Sequence, residues 1–265
     1  MIRGECFPAL ADHVLIHYDR LYCNPNDIRD GDIVYCDTHH ILQFKNILNR
    51  LEDLTIITHN SDAYLYDTDI PDDNQGVDVS ELVCYSRWFG QNSYTEKVIP
   101  IPIGFENKRW EKVFGPKSQW LSDVKNRSID PESLVYLNCN ISTRPKDRGE
   151  CYRYADRSEI VDVDRSKLDY IEYLTQIKRY KYTLCPRGHG LDCHRTWEVL
   201  MMGRVPILIR EGQMEKLYRE LPILFIDEWE ELDKLNLEDL YTTFDFTERE
   251  YLEIEYWSTA IKLII

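Results

Sequence analysis

Tyr182-Thr183-Leu184-Cys185-Pro186-Arg187-Gly188-His189-Gly190-Leu191-Asp192-Cys193-His194-Arg195-Thr196-Trp197-Glu198 is the stretch on which the fold turns. Tyr182 to Cys185 reads as a buried strand, Pro186 to Gly190 as a glycine-rich loop and Asp192 to Met202 as a helix, with Val205 to Ile209 as the next strand. Strand, helix and strand in that order form a β-α-β unit with parallel strands and a right-handed crossover. The loop aims free backbone N–H groups and the positive end of a helix dipole at one point. Arg187 and Arg195 flank it. Asp192 is placed to cap the helix, and Arg195 and Glu198 follow near the same face of its first two turns. Anion-binding groups beside a carboxylate suit a ligand with phosphates and ribose hydroxyls. A glycine-rich turn, a capped helix and a surface ion pair are the plainer alternative.

Working outward, the same alternation recurs on both sides. Upstream, Ile33 to Tyr35 reads as a strand, His39 to Leu51 as a helix on the spacing of Ile41, Leu42, Phe44, Ile47, Leu48 and Leu51, and Leu54 to Thr58 as a buried strand. A polar stretch from Tyr66 to Asp78 reads as a long loop of the kind kept for function. Leu82 to Tyr85, a short aromatic element around Arg87-Trp88-Phe89, and the strand Val98 to Ile101 follow. Between Gly115 and Ser133 periodicity gives way to Pro, Ser, Asp, Asn and Lys, the look of a domain connection. This divides the chain into domains at 1–120 and 133–265. The second half begins with strand Leu134 to Asn138 and continues through a helix near Pro145 to Tyr154, strand Ile160 to Val163 and a helix from Lys167 to Lys178. After the quoted unit come a short helix near Met214 to Tyr218, strand Ile223 to Ile226 and a closing helix, Glu248 to Lys262. The fold class is therefore α/β with parallel sheets.

Composition bounds the partners. The 265 residues carry 32 Lys and Arg against 47 Asp and Glu, a formal charge of −15, which disfavours a nucleic-acid backbone as ligand. Hydrophobic residues make up 43%, enough for a sizeable core. The longest apolar runs, Val98 to Ile103 and Val205 to Ile209, are far below the roughly 20 residues of a membrane span. Met1 to Leu10 lacks the pattern of a secretory signal. A cytoplasmic protein is expected, in the host cytoplasm if the source is viral. Its 8 cysteines are scattered without a CxxC and read as reduced and buried.

The pattern PRGxGxDxHRTWE, followed by Met202-Gly203-Arg204-Val205-Pro206-Ile207, resembles the nucleotide-sugar-binding half of exostosin-like glycosyltransferases. Ile57-Thr58-His59-Asn60-Ser61-Asp62, Trp88-Phe89-Gly90-Gln91-Asn92 and Ile101-Pro102-Ile103-Gly104-Phe105-Glu106-Asn107 look like the upstream segments of short members of that group. The match spans positions 54 to 226 in order. Chains of this length resemble sugar transferases of large algal viruses, among which xylose is one transferred sugar. Animal exostosins are longer, membrane-anchored and carry a second catalytic domain, so heparan-type polymerisation is not implied.

The resemblance implies two Rossmann-like domains facing a cleft, the GT-B architecture, and inverting transfer from a nucleotide diphosphate sugar, a UDP-sugar by expectation, to a glycan or glycoprotein acceptor. It implies that Arg195 binds the donor diphosphate and Glu198 the ribose hydroxyls. Arg187, Gly188, His189, Gly190 and Asp192 would line the same donor site. Arg144, at the end of the second half's first strand, is a further phosphate candidate, with Arg148 behind it as a helix arginine more in keeping with solvent. Transfer needs a base for the acceptor hydroxyl. Asp62, just past a strand end, is the first choice, His59 the second and Asp73 the third, while Asn60-Ser61-Asp62 as a mere helix cap is the alternative. Asn60, Trp88, Asn92, Phe105 and Glu106 are the acceptor-binding candidates.

No metal or other cofactor is expected. Asp67-Thr68-Asp69 and Asp162-Val163-Asp164 match the DxD of metal-dependent GT-A enzymes, but chance supplies such triplets in an acidic chain and neither adjoins Arg187 to Glu198. Cys185, His189, Cys193 and His194 could bind zinc chemically, yet the spacing is not a standard finger. His39-His40 and the pair His13 and His17 have no partner ligands nearby in sequence and read as surface or packing histidines. A carbohydrate- or nucleotide-binding module without transfer activity is the competing function.

Overall fold

The computed structural model describes residues 1–67, 76–247 and 249–264, which build an α/β protein on two five-stranded parallel sheets. In the first, β1 (His13–Val14), β2 (Ile33–Asp37), β3 (Leu54–His59), β4 (Tyr85–Gly90) and β5 (Ile99–Pro100) lie in chain order. In the second, β6 (Ser133–Leu137), β7 (Val161–Val163), β8 (Tyr180–Leu184), β9 (Val205–Ile209) and β10 (Leu224–Ile226) take the spatial order β7-β6-β8-β9-β10. The chain thus changes direction across the sheet between β6 and β8, where Val135 faces Tyr182. Open α/β sheets take their ligands outside the strand ends at such a switch point.

Strand alternation distributes the core. Val34, Cys36, Leu54, Ile56 and Trp88 enter a core on one face of the first sheet, and Val135, Leu137, Val205 and Ile207 enter one on a face of the second. Their neighbours Tyr35, Ile57, Phe89, Tyr136 and Leu208 point the other way, into a single apolar layer shared by both sheets. That layer also takes Ile2 and Phe7 from the N-terminal segment and residues of the helices α1 (Lys117–Lys125), α3 (Tyr170–Arg179), α4 (His194–Met201) and α5 (Ile254–Ile264). Helix α2 (Pro145–Ala155) packs instead in the core of the second sheet. None of the described helices is long and apolar enough to cross a membrane.

Several sequence expectations need correction. The segment Gly115 to Ser133, expected to be an irregular connection, contains α1, because Leu121 and Val124 supply a buried stripe one turn apart. Its end is capped from outside: buried Lys178 donates to the carbonyls of Val124 (3.2 Å), Lys125 (2.8 Å) and Arg127 (2.6 Å). Carbonyls at a helix C-terminus lack intrahelical partners, and here the lysine supplements the Arg127 N–H that already reaches Val124. The expected helix His39 to Leu51 is a 3-10 helix, Thr38–Phe44, followed by one α turn, Lys45–Leu48, in keeping with the weak helix propensity of Thr38 and two histidines. Arg87-Trp88-Phe89 is the middle of β4 rather than a separate element. α3 begins at Tyr170 because Asp169 and Glu172 form a reciprocal capping box.

Candidate functional site

Two hollows concern the proposed chemistry, one beside the switch point and one that His194 of α4 lines. At the switch point Asn138 and Asn140 follow β6 and Cys185 to Gly190 follow β8, and two arginines, Arg148 buried and Arg195 partly buried, donate to carbonyls of these loops. Arg195, the second residue of α4, donates Nη1 to the Asn138 carbonyl, and its guanidinium lies 5.4 Å from the Tyr173 ring centre. Arg148, on α2 and 7% exposed, donates Nε to the Arg187 carbonyl (3.0 Å) and Nη1 to the Asn140 carbonyl (2.7 Å). Neither forms an ion pair among the described residues. A guanidinium taken out of water without a carboxylate, as Arg148 is, is costly unless an anion joins it.

Next to these arginines a cavity of about 880 Å³ is lined by Asn138, Asn140, Tyr152, Arg165, Lys167 and Leu168 among others. A second, of about 380 Å³, sits at the ends of β8, β9 and β10, but Asp147, Glu150, Glu211, Asp227, Glu228 and Glu230 make it acidic. The first is also lined by Arg153, Asp156 and Asp164, with Arg165 paired to Asp156, and the second by Arg153, Arg157 and Arg187, so the first is the less acidic of the two and the better suited to an anion.

The remaining donor candidates are already engaged. Glu198 is 9% exposed and accepts from the Tyr170 (2.7 Å) and Tyr173 (3.2 Å) hydroxyls, so a ribose would have to displace a phenol to reach it. Burial, reinforced for Tyr170 by Glu198, pushes both phenols well above their ordinary range, which keeps them as donors. Arg187 pairs with Glu211 and donates to the Tyr94 hydroxyl (3.1 Å) and to that of Tyr64, so it ties the loop to segments of the first half. Arg144 pairs with Asp147 at 2.9 Å. His189 is exposed and its carbonyl accepts from the Tyr64 hydroxyl at 2.7 Å. Gly188 has room for a Cβ, whereas one on Gly190 would meet the Asn92 amide at 2.7 Å.

Asp192 is the clearest correction to the expected capping: the N-cap of α4 is Cys193. Asp192 is 3% exposed and its carboxylate accepts from the Ile103 N–H (2.7 Å), the Trp197 indole (3.0 Å) and the Tyr218 hydroxyl. Burial nonetheless raises its pKa to about 6.

The acceptor-side hollow, about 300 Å³, is lined by Gly4, His59, Asn60, Ser61, Asp62, Gln91, Ile103, Asn107, Arg109 and Trp110 from the first half and His194 from the second. Asp62 is exposed within it. His59 is 1% exposed and fully engaged: Nε2 donates to the Pro102 carbonyl (2.8 Å) and Nδ1 accepts from the Asn60 N–H (2.7 Å). Burial lowers its pKa to about 4, so it is neutral and has no free lone pair for a substrate proton. His194, the residue before Arg195, is the better oriented imidazole. Its Nδ1 donates to the Gly104 carbonyl at 2.7 Å, which leaves Nε2 as the acceptor facing the hollow. Gln91 is 1% exposed, and its Oε1 is buried without a hydrogen-bond partner.

No model of a known protein family and no curated protein matches this chain.

Of the other acceptor candidates, Asn60 lines the hollow. Trp88 does not: it is fully buried in the first sheet's core with its indole on Thr58 Oγ1 (2.9 Å), and Phe105, 2% exposed, belongs to the shared layer. Asn92 is a structural bridge, its Oδ1 accepting from the Leu191 (3.0 Å) and Asp192 (3.2 Å) amides. Glu106 pairs with Lys117 at 3.0 Å. Asp73 and most of Asp67-Thr68-Asp69 lie outside the described residues. Asp164, of the second DxD, is held by the Ser166 hydroxyl and the Tyr136 hydroxyl (3.2 Å). Arg148, set aside as a solvated helix residue, is buried, and nothing in its sequence neighbourhood signals that. His194, Gln91 and Trp110 were passed over because only the fold brings them into one hollow.

Proposed function

We propose that this chain is an inverting glycosyltransferase that moves a sugar from a nucleotide diphosphate sugar, uridine-linked and with xylose as one candidate, to a hydroxyl of a glycan. On this reading the two sheets are the two Rossmann-like halves of a GT-B arrangement. The observation that carries it is the pair of arginines at the switch point, Arg148 buried and Arg195 partly buried, which donate only to backbone carbonyls. Their place and charge suit a diphosphate, and the adjoining cavity of about 880 Å³ lies in the size range of ligand sites.

Adjacent residues of α4 then serve the two substrates. Arg195 holds the donor, and His194 faces the acceptor. The acceptor hydroxyl gives its proton to His194 Nε2 and its oxygen forms the new bond to the anomeric carbon. The bond from that carbon to the diphosphate breaks on the opposite side, and the electron pair leaves with the diphosphate, whose growing charge Arg148 and Arg195 offset. Asp62, the base expected from sequence, competes with His194 for the proton, and Gln91 Oε1 can accept from a neighbouring hydroxyl.

Thermal unfolding with a panel of nucleoside diphosphates, with and without EDTA, tests the donor site. UDP at about a hundredfold Kd should raise stability by about 2.7 kcal/mol, with EDTA making no difference. Arg195→Ala should abolish the rise. His194→Ala and Asp62→Asn should both keep it, and His194→Ala should lose about 100-fold or more in transfer. Absence of stabilisation by every diphosphate would remove the donor reading, and full stabilisation without donor hydrolysis would favour a binding module.

A further inference from the structure

The hairpin that joins strand Ile16–His17 to strand Arg20–Leu21 turns on Tyr18 and Asp19, with φ of 53° and 60°. Two left-handed residues in a two-residue turn are the pattern that Asn-Gly or Asp-Gly usually fills. Here the turn is fixed from within. The Tyr18 N–H donates to buried Asp37 Oδ2 at 2.6 Å, and the Arg109 guanidinium lies 3.5 Å from the centre of the Tyr18 ring. Asp19 is therefore held over the first turn of the 3-10 helix Thr38–Phe44.

At that point two imidazoles converge on it. Nε2 of His40 lies 2.8 Å and Nε2 of His39 3.4 Å from the same oxygen, Asp19 Oδ1, and the three ligand atoms fall within 4.8 Å of one another. The opposite nitrogen of His40, Nδ1, is engaged at 2.6 Å by the Gln43 side-chain amide. The Gln43 amide N–H donates to Nδ1, so ligation through Nε2 requires this amide to turn and present Oε1 to an Nδ1–H, the outer hydrogen bond that orients a ligating imidazole. The carboxyl of Asp19 is held below its usual range, chiefly by His40 and then by His39.

We propose that Asp19, His39 and His40 bind a divalent transition-metal ion of the zinc class. The donor set decides the class, because two imidazole nitrogens and one carboxylate oxygen suit Zn²⁺, Co²⁺, Ni²⁺ or Cu²⁺, whereas Mg²⁺ and Ca²⁺ ask for oxygen alone. Bonds of about 2.0–2.2 Å to such an ion require neighbouring ligand atoms roughly 3.3–3.5 Å apart. The Asp19 to His39 spacing already meets this, and the Asp19 to His40 spacing needs to open by about half an ångström. The side chains of His39 and Asp19 are 42% and 77% exposed, so the remaining coordination positions face water. The site is separate from the proposed donor and acceptor hollows and takes no part in the transfer steps above. Its ligands are invisible as a set in the sequence, where Asp19 stands apart from the histidines.

Titration of the purified chain with Co²⁺ and Zn²⁺, followed by calorimetry and by the visible spectrum of Co²⁺, decides the matter. One ion per chain with a nitrogen and oxygen ligand spectrum is expected. The variants His39→Ala and His40→Ala should each weaken binding by about tenfold or more. Asp19→Asn, which keeps a residue tolerant of the left-handed backbone, should also weaken it. His13→Ala, which removes a histidine paired elsewhere with Asp32, should leave it unchanged. All four positions lie at the surface, and circular dichroism of each variant checks folding. Wild-type affinity in the double variant of His39 and His40, no uptake by the wild type, or a sulfur-to-metal charge-transfer band placing the ion on cysteines would each overturn the assignment.

Discussion

Asp192 and His59 are two fully buried groups that titrate against each other. His59 has its pKa lowered to about 4 from 6.5, so its contribution to stability is present above pH 6.5 and is lost as pH falls through about 4. Asp192 has its pKa raised to about 6 from 3.8, so its contribution is present below pH 3.8 and is lost as pH rises through about 6. Each is worth about 3 kcal/mol by the shift alone, with opposite slopes in nearly the same window. Urea unfolding at pH 4 and pH 6.5 should therefore show Asp192→Asn to be steeper than wild type in acid sensitivity and His59→Asn to be shallower. Parallel profiles for all three proteins would show that neither group titrates as described. The sequence places Arg195 on a helix start and Asp62 just past a strand end, as in the structure, but it points to Asp192 as a cap and to His59 as a base. Asp192 is instead buried across the contact between the halves and His59 within the first half against Pro102, and burial by residues some 40 to 90 positions away has no local signature.

At the scale of elements, β2, β3, β6, β8 and β9 are legible as short apolar runs buried on both faces, and the helices α2 to α5 as longer segments between or after them. α1 was missed, since only Leu121 and Val124 mark its buried face and its C-terminus is completed by a lysine on another helix. Lys178→Met keeps most of the volume of the side chain and removes all three hydrogen bonds. It should cost about 1–3 kcal/mol in urea unfolding, with amide exchange accelerated at Val124 and its neighbours rather than throughout the chain. Uniform exchange across the protein would mean that α1 is not an independent weak point. The switch between β6 and β8 also lay beyond the sequence: alternation implied parallel strands, but the order in which they lie side by side depends on crossovers that a single chain does not spell out. With that order known, Arg148 and Arg195 become partners in one crevice rather than residues of two separate helices.

The molecule as a whole is organised around the layer that both sheets share. Tyr35, Ile57 and Phe89 from one side meet Trp197, Leu200 and Tyr218 from the other in a continuous apolar cluster, and polar bridges from Asn92 and Asp192 cross the same boundary. Burial on this scale couples the two halves energetically, so calorimetry should give one transition whose calorimetric and van't Hoff enthalpies agree. Two resolved peaks would show the halves to be separate units. The same layer also limits motion. Halves that share one buried layer cannot hinge apart without tearing open that packing, so the freedom left to the molecule belongs to the loops at its rim.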